Sequence, residues 1–139
     1  MIVSQREGVT VIQLTGGSAT QSFSREFLPL IRDAIVENIG CKAIVLTGEG
    51  KFFSAGADIA AFQKSIEDGD SVELIRELTD ILHPLLIKMR TSKTIIVAAL
   101  NGASAGGGLG LALACDARVA SASPRPPPAE APFRAATMM

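Results

Sequence analysis

Two short runs of uninterrupted apolar residues, Ala43-Ile44-Val45-Leu46 and Ile95 to Leu100, do most to limit what this chain can fold into. Each is short for a helix and rich in β-branched side chains, the mark of a strand covered on both faces. Around them lie stretches with a helical period. From about Thr20 to Asn38, Phe23, Phe27, Leu30, Ile31, Ala34 and Ile35 recur at three and four. Val72 to Arg90 sets Leu74, Leu78, Ile81, Leu82, Leu85 and Leu86 on one stripe. Buried strands separated by such helices pair in parallel through right-handed crossovers. An α/β fold is expected.

Smaller signals fill in the order. Ile2 to Arg6 and Val9 to Leu14 flank Glu7-Gly8 and read as a hairpin. Pro29 either kinks the first helix or marks a later start, and Gly40 is its stop signal. Gly48 to Asp58 reads as a loop, Ile59 to Lys64 as a short helix, and Glu67-Asp68-Gly69-Asp70 as a solvated charged loop. Pro84 is a second place for a kink. Leu109 to Cys115 reads as a compact helix and Ala117 to Ala120 as a last short strand.

Composition excludes several classes. With 47% hydrophobic residues the chain has enough apolar side chain for a core. A net charge of −1 gives no footprint for nucleic acid or an anionic membrane. Cys41 and Cys115 form no CxxC pattern, so neither a metal site nor a disulfide scaffold is expected. The run from Thr94 to Cys115 is uncharged and long enough to span a bilayer, but Asn101, Ser104 and its glycines divide it into strand, turn and helix. No apolar signal region opens the sequence, so a cytoplasmic location is expected.

Two segments carry the chemistry. One is Lys51-Phe52-Phe53-Ser54-Ala55-Gly56-Ala57-Asp58-Ile59, read as directly following the first buried strand. The other is Ala99-Leu100-Asn101-Gly102-Ala103-Ser104-Ala105-Gly106-Gly107-Gly108-Leu109, following the second. Ligand sites of parallel sheets gather at the carboxyl ends of strands. Helix starts there present unpaired N–H groups, and small residues let a ligand reach the backbone. Two such loops side by side would aim two N–H groups at one oxygen, an oxyanion hole suited to a thioester carbonyl turning into an enolate. Close packing of backbone on backbone explains the same glycines equally well.

The paired motifs resemble those of the crotonase superfamily, the enoyl-CoA hydratases and isomerases. That family carries F-x-A-G-A-D-[IL] after a strand, then N-G-x-[AC]-x-G-G-G, then a Leu/Ala-rich helix ending in Cys-Asp. Here these are Phe53 to Ile59, Asn101 to Gly108, and Leu111-Ala112-Leu113-Ala114-Cys115-Asp116. The resemblance covers about residues 1–122 and implies the N-terminal portion of a crotonase-like ββα/βαβ core. It implies an acyl-CoA substrate, with coenzyme A as part of that substrate and no separate cofactor. It places the two oxyanion N–H groups on Ala57 and Gly107. It places substrate contacts at Ala55, Gly56, Asp58, Ile59, Gly106 and Gly108, where Asp58 also reads as a helix N-cap. Asp116 looks structural.

The likeness then departs from the family. The first of the hydratases' two glutamates falls on Gly110, and glycine moves no proton. Isomerase-like enolate chemistry is therefore expected over two-glutamate hydration. The second acid falls by register on Glu130, whose neighbours Pro126-Pro127-Pro128-Ala129 replace the family's F-G-x-P-E. Five of the seven prolines lie beyond residue 123, so residues 123–139 read as an atypical proline-rich tail. The family's trimers and hexamers rest on C-terminal helices with no counterpart here, so an association-prone chain with little turnover is expected. Two other readings compete. One is a non-catalytic fragment. The other is a serine hydrolase, because Gly102-Ala103-Ser104-Ala105-Gly106 matches G-x-S-x-G with Ser104 as nucleophile. Against the hydrolase, the lone His83 lies upstream of that serine.

Overall fold

All five strands expected from the sequence form, and two short ones not expected appear as well. The computed structural model describes residues 1–120; the proline-rich segment 123–139 lies outside the described residues. β1 (Ile2–Arg6) and β2 (Val9–Gln13) make an antiparallel hairpin. Glu7 and Gly8 between them both have positive φ, 53° and 82°, as a tight turn matched to strand twist requires. There follow α1 (Phe27–Asn38), β3 (Ala43–Thr47), β4 (Phe52–Ser54), α2 (Ile59–Asp68), α3 (Ser71–Thr91), β5 (Ile95–Leu100), β6 (Ala103–Ser104), α4 (Gly106–Ala114) and β7 (Ala117–Ala120).

The main sheet runs β1-β2-β3-β5-β7, with β2, β3, β5 and β7 parallel. Its helix-covered face is closed: Thr10, Ile12, Ile44, Leu46, Ile96 and Ala98 are buried among Leu28, Ile31, Ile35, Leu85 and Met89. The other face, through Val11, Val45 and Val97, is only half-covered, and Ile95 at its margin is 57% exposed. Asp116 fastens the start of β5: its N–H donates to the Ile96 carbonyl and its Oδ2 accepts the Ile96 N–H, both at 2.8 Å. That is the structural part expected of it.

Several boundaries differ from the sequence reading, each for a local reason. α1 starts at Phe27, not Thr20. Ser24 Oγ accepts the Phe27 N–H at 3.0 Å, and Pro29 sits in the first turn, where its missing N–H matters least. Phe23 therefore lies outside the helix. α2 runs on through Glu67 and Asp68 until Gly69 turns left-handed at φ 80°, so the charged loop shrinks to its last two residues. The loop assigned to Gly48–Asp58 contains β4. α4 begins at Gly106, three residues before Leu109, because the Ala105 carbonyl already accepts the Gly108 and Leu109 N–H groups. Among the described residues no helix is long and apolar enough to cross a membrane.

Candidate functional site

The two glycine-bearing loops leave adjacent strands of a second, two-stranded sheet. β4 and β6 pair in parallel, Phe52 with Ala103 and Ser54 with Ser104. Neither loop follows directly on the main sheet, as the sequence reading had it; a short strand intervenes in each case. The Ala103 N–H donates to the Lys51 carbonyl at 2.9 Å, and the Ala105 N–H to the Ser54 carbonyl at 3.0 Å. Asn101 clamps the first loop from the second. Its Oδ1 accepts the Gly48 N–H at 2.8 Å, and its Nδ2 donates to the Gly50 and Phe52 carbonyls, each at 3.1 Å. This role was not foreseen. An Asn-Gly pair at a strand's end was the signal available for it.

Backbone meets backbone where the loops touch. A methyl group on Gly56 would lie 2.7 Å from the Ala105 oxygen and 2.8 Å from the Gly107 nitrogen. Gly56 itself is buried at φ 83°. Gly108 is buried against the Ser54 backbone, so its lack of a side chain serves packing. Gly106 is exposed at φ 53° and borders Ala55 and Gly56. Close packing of backbone on backbone, one of the two origins weighed for these glycines, thus operates at Gly56 and Gly108.

Ala57 is exposed and Gly107 half-buried, and neither N–H donates to an acceptor among the described residues. Gly107 is the second residue of α4, where a helix has no internal acceptor for its donor. Half-buried Ala55 donates its N–H to Thr20, and Ile59 is 52% exposed. Asp58 caps α2, its Oδ1 accepting the Ala60 and Ala61 N–H groups at 3.0 and 3.2 Å. The structure therefore brings the segments 55–59 and 106–108 together, while Glu130 lies outside the described residues.

The apolar side of the site comes from Phe23 and α3. A methyl on Gly107 would lie 3.0 Å from the Phe23 ring and 3.1 Å from Leu82. Three residues on, a methyl on Gly110 would meet only Leu86, at 3.8 Å, an ordinary contact. Arg25 ties the segment before α1 to Asp70 and Glu77, and those hydrogen bonds, Glu77's first, raise its pKa further.

The hydrolase constellation does not assemble. Ser104 lies in β6 at 1% exposure with no partner for its Oγ among the described residues, whereas His83 is exposed on α3. Cys115 is inert as a nucleophile: burial, and then the neighbouring Asp116, push its thiol up to about 12.

Comparison with known proteins places the sequence and the fold. The family model described as enoyl-CoA hydratase/isomerase matches residues 4–133. A Bacillus subtilis (strain 168) protein named "Probable enoyl-CoA hydratase" is 35% identical over 121 residues, 87% of this chain and 45% of its own length. The crotonyl-CoA hydratase of Syntrophomonas wolfei is 28% identical over 127 residues, 88% of this chain and 47% of its own. The crystal structure of an enoyl-CoA hydratase from Polaromonas sp. JS666 superposes with a TM-score of 0.77 at 25% identity, covering 88% of this chain and 48% of that one. The chain spans about half the length of the curated relatives it matches.

Proposed function

The chain belongs to the enoyl-CoA hydratase/isomerase family, and on that premise we propose that it binds an acyl-CoA thioester and stabilises the thioester's enolate through the N–H groups of Ala57 and Gly107. The observation that carries this reading is a pair of N–H groups without acceptors among the described residues, on two loops in direct backbone contact. When a thioester loses its C2 proton, negative charge gathers on the carbonyl oxygen. Donors already fixed there need no reorganisation and favour that state over the neutral ester. The N-terminus of α4 adds a partial positive charge behind Gly107. No cofactor beyond the substrate's coenzyme A enters this reading. By register Glu130 is the group proposed to exchange the C2 proton.

A carbonyl-free ligand separates this reading from generic binding of coenzyme A. Calorimetry should show a crotonyl-CoA thioester binding about tenfold more tightly than the thioether analogue lacking its carbonyl oxygen. Equal affinities would remove the oxyanion hole from the account.

Gly110 supports one reaction class over another. A hydratase needs an acid to polarise water, and here the position carries none and faces Leu86. We therefore favour double-bond migration or another enolate reaction over hydration. The space at this position makes the idea testable. Gly110→Glu is expected to raise crotonyl-CoA hydration by about tenfold or more. It should also leave the fold at least as stable, since glycine in a helix interior costs about 0.5–1 kcal/mol. A folded variant with the parent's hydration rate would show that the missing acid does not set the reaction.

A further inference from the structure

We propose that Phe23 is the positioning residue that sets the two N–H donors against each other, an inference that rests on the reading of Ala57 and Gly107 given above. Its backbone grips one loop and its ring supports the other. The Phe23 N–H donates to the Gly56 carbonyl at 2.6 Å, and the Phe23 carbonyl accepts the Asp58 N–H at 3.3 Å. The first of these bonds fixes the direction of one donor. The Gly56 carbonyl and the Ala57 N–H belong to one planar trans peptide, so fixing the carbonyl aims the N–H the opposite way. A donor on the carbonyl also polarises the peptide and strengthens its N–H.

The ring acts on Gly107. It lies on the side of that residue where a side chain would project, sharing the position with Leu82. Phe23 is 2% exposed, so the ring has no room to swing away. The segment that carries it is held at both ends. Ser54 Oγ donates to the Gln21 carbonyl at 2.8 Å on one side, and Arg25 binds Asp70 and Glu77 on the other. One residue thus couples the direction of the first donor to the placement of the second.

Acetoacetyl-CoA tests this, because its enolate absorbs in the ultraviolet and reports the donors separately from affinity. Bound to the 139-residue chain it is expected to show the enolate band. Phe23→Ala should lower the enolate fraction at saturation about tenfold, with Kd changed by less than about threefold. Both variants keep the backbone bonds and so test the ring; Phe23→Leu also keeps an apolar body but withdraws the ring's edge, and an intermediate fraction is expected. It carries the test alone if the alanine variant does not fold. A purely structural role would lower Tm and leave the enolate fraction of the folded, saturated protein unchanged. That result in the folded variants overturns the role of Phe23 alone. Absence of the band from the bound parent chain overturns the proposed function, and this inference with it.

Discussion

Gly56→Ala is expected to lower stability by about 3 kcal/mol and to abolish the preference for a thioester over its thioether. Two effects add. The backbone at φ 83° is a conformation that costs an L-residue about 1–2 kcal/mol. The new methyl would also press on the Ala105 oxygen and the Gly107 nitrogen, which are backbone atoms and cannot rotate aside. Relief comes only by parting the two loops, and that separates the Ala57 and Gly107 donors. Thermal unfolding should show Tm lower by roughly 10 °C, and calorimetry should show the two ligands binding alike. Gly50→Asn is the control. Gly50 has a similar φ of 64° but nothing within 4 Å of a built side chain, and asparagine tolerates that conformation. A Gly56→Ala protein with the parent's Tm and preference would show that this contact does not hold the site together.

The second large effect is expected at Asn101. Asn101→Ala removes three hydrogen bonds that join the loop after β3 to the end of β5, at about 1 kcal/mol each. A total near 3 kcal/mol should appear as a lower urea midpoint. Asn101→Asp sharpens the test. The carboxylate keeps the acceptor for the Gly48 N–H but turns its other oxygen toward the Gly50 and Phe52 carbonyls. It should therefore destabilise at least as much as alanine at neutral pH. An aspartate variant close to the parent in stability would mean that the two donor bonds contribute little.

These residues also show what can be read from a sequence of this kind and what cannot. Short apolar runs locate β3 and β5 and helical period locates α3, and their alternation gives the parallel order, although one face of the sheet is only half-covered, where the runs read as covered on both. Motif resemblance pairs segments 55–59 and 106–108, which lie in contact in the fold. Period failed at Phe23. It falls in phase with Phe27 and Ile31, yet it lies ahead of the helix, in a bridge to Ala57. A helical phase does not say where the helix begins, and Pro29 was the better guide. β4 and β6 escaped for another reason. Strands of three and two residues are too short to show alternation, and they exist because each finds a partner some fifty residues away. Asn101 was legible as a motif letter but not as a clamp, since its three partners lie on a different loop.

That second sheet bears on the order in which the molecule assembles. β4 and β6 run parallel, so no turn joins them and no local step can nucleate their pairing. Each is tethered to the main sheet by a few residues, β4 to β3 and β6 to β5. Their encounter is expected to wait until β3 and β5 have come into register, when the entropy of closing that long loop has been met by the larger sheet. Ala57 and Gly107 become neighbours only at that moment. The proposed ligand site is thus expected to be among the last parts of the chain to form, and to last no longer than the strand pair beneath it.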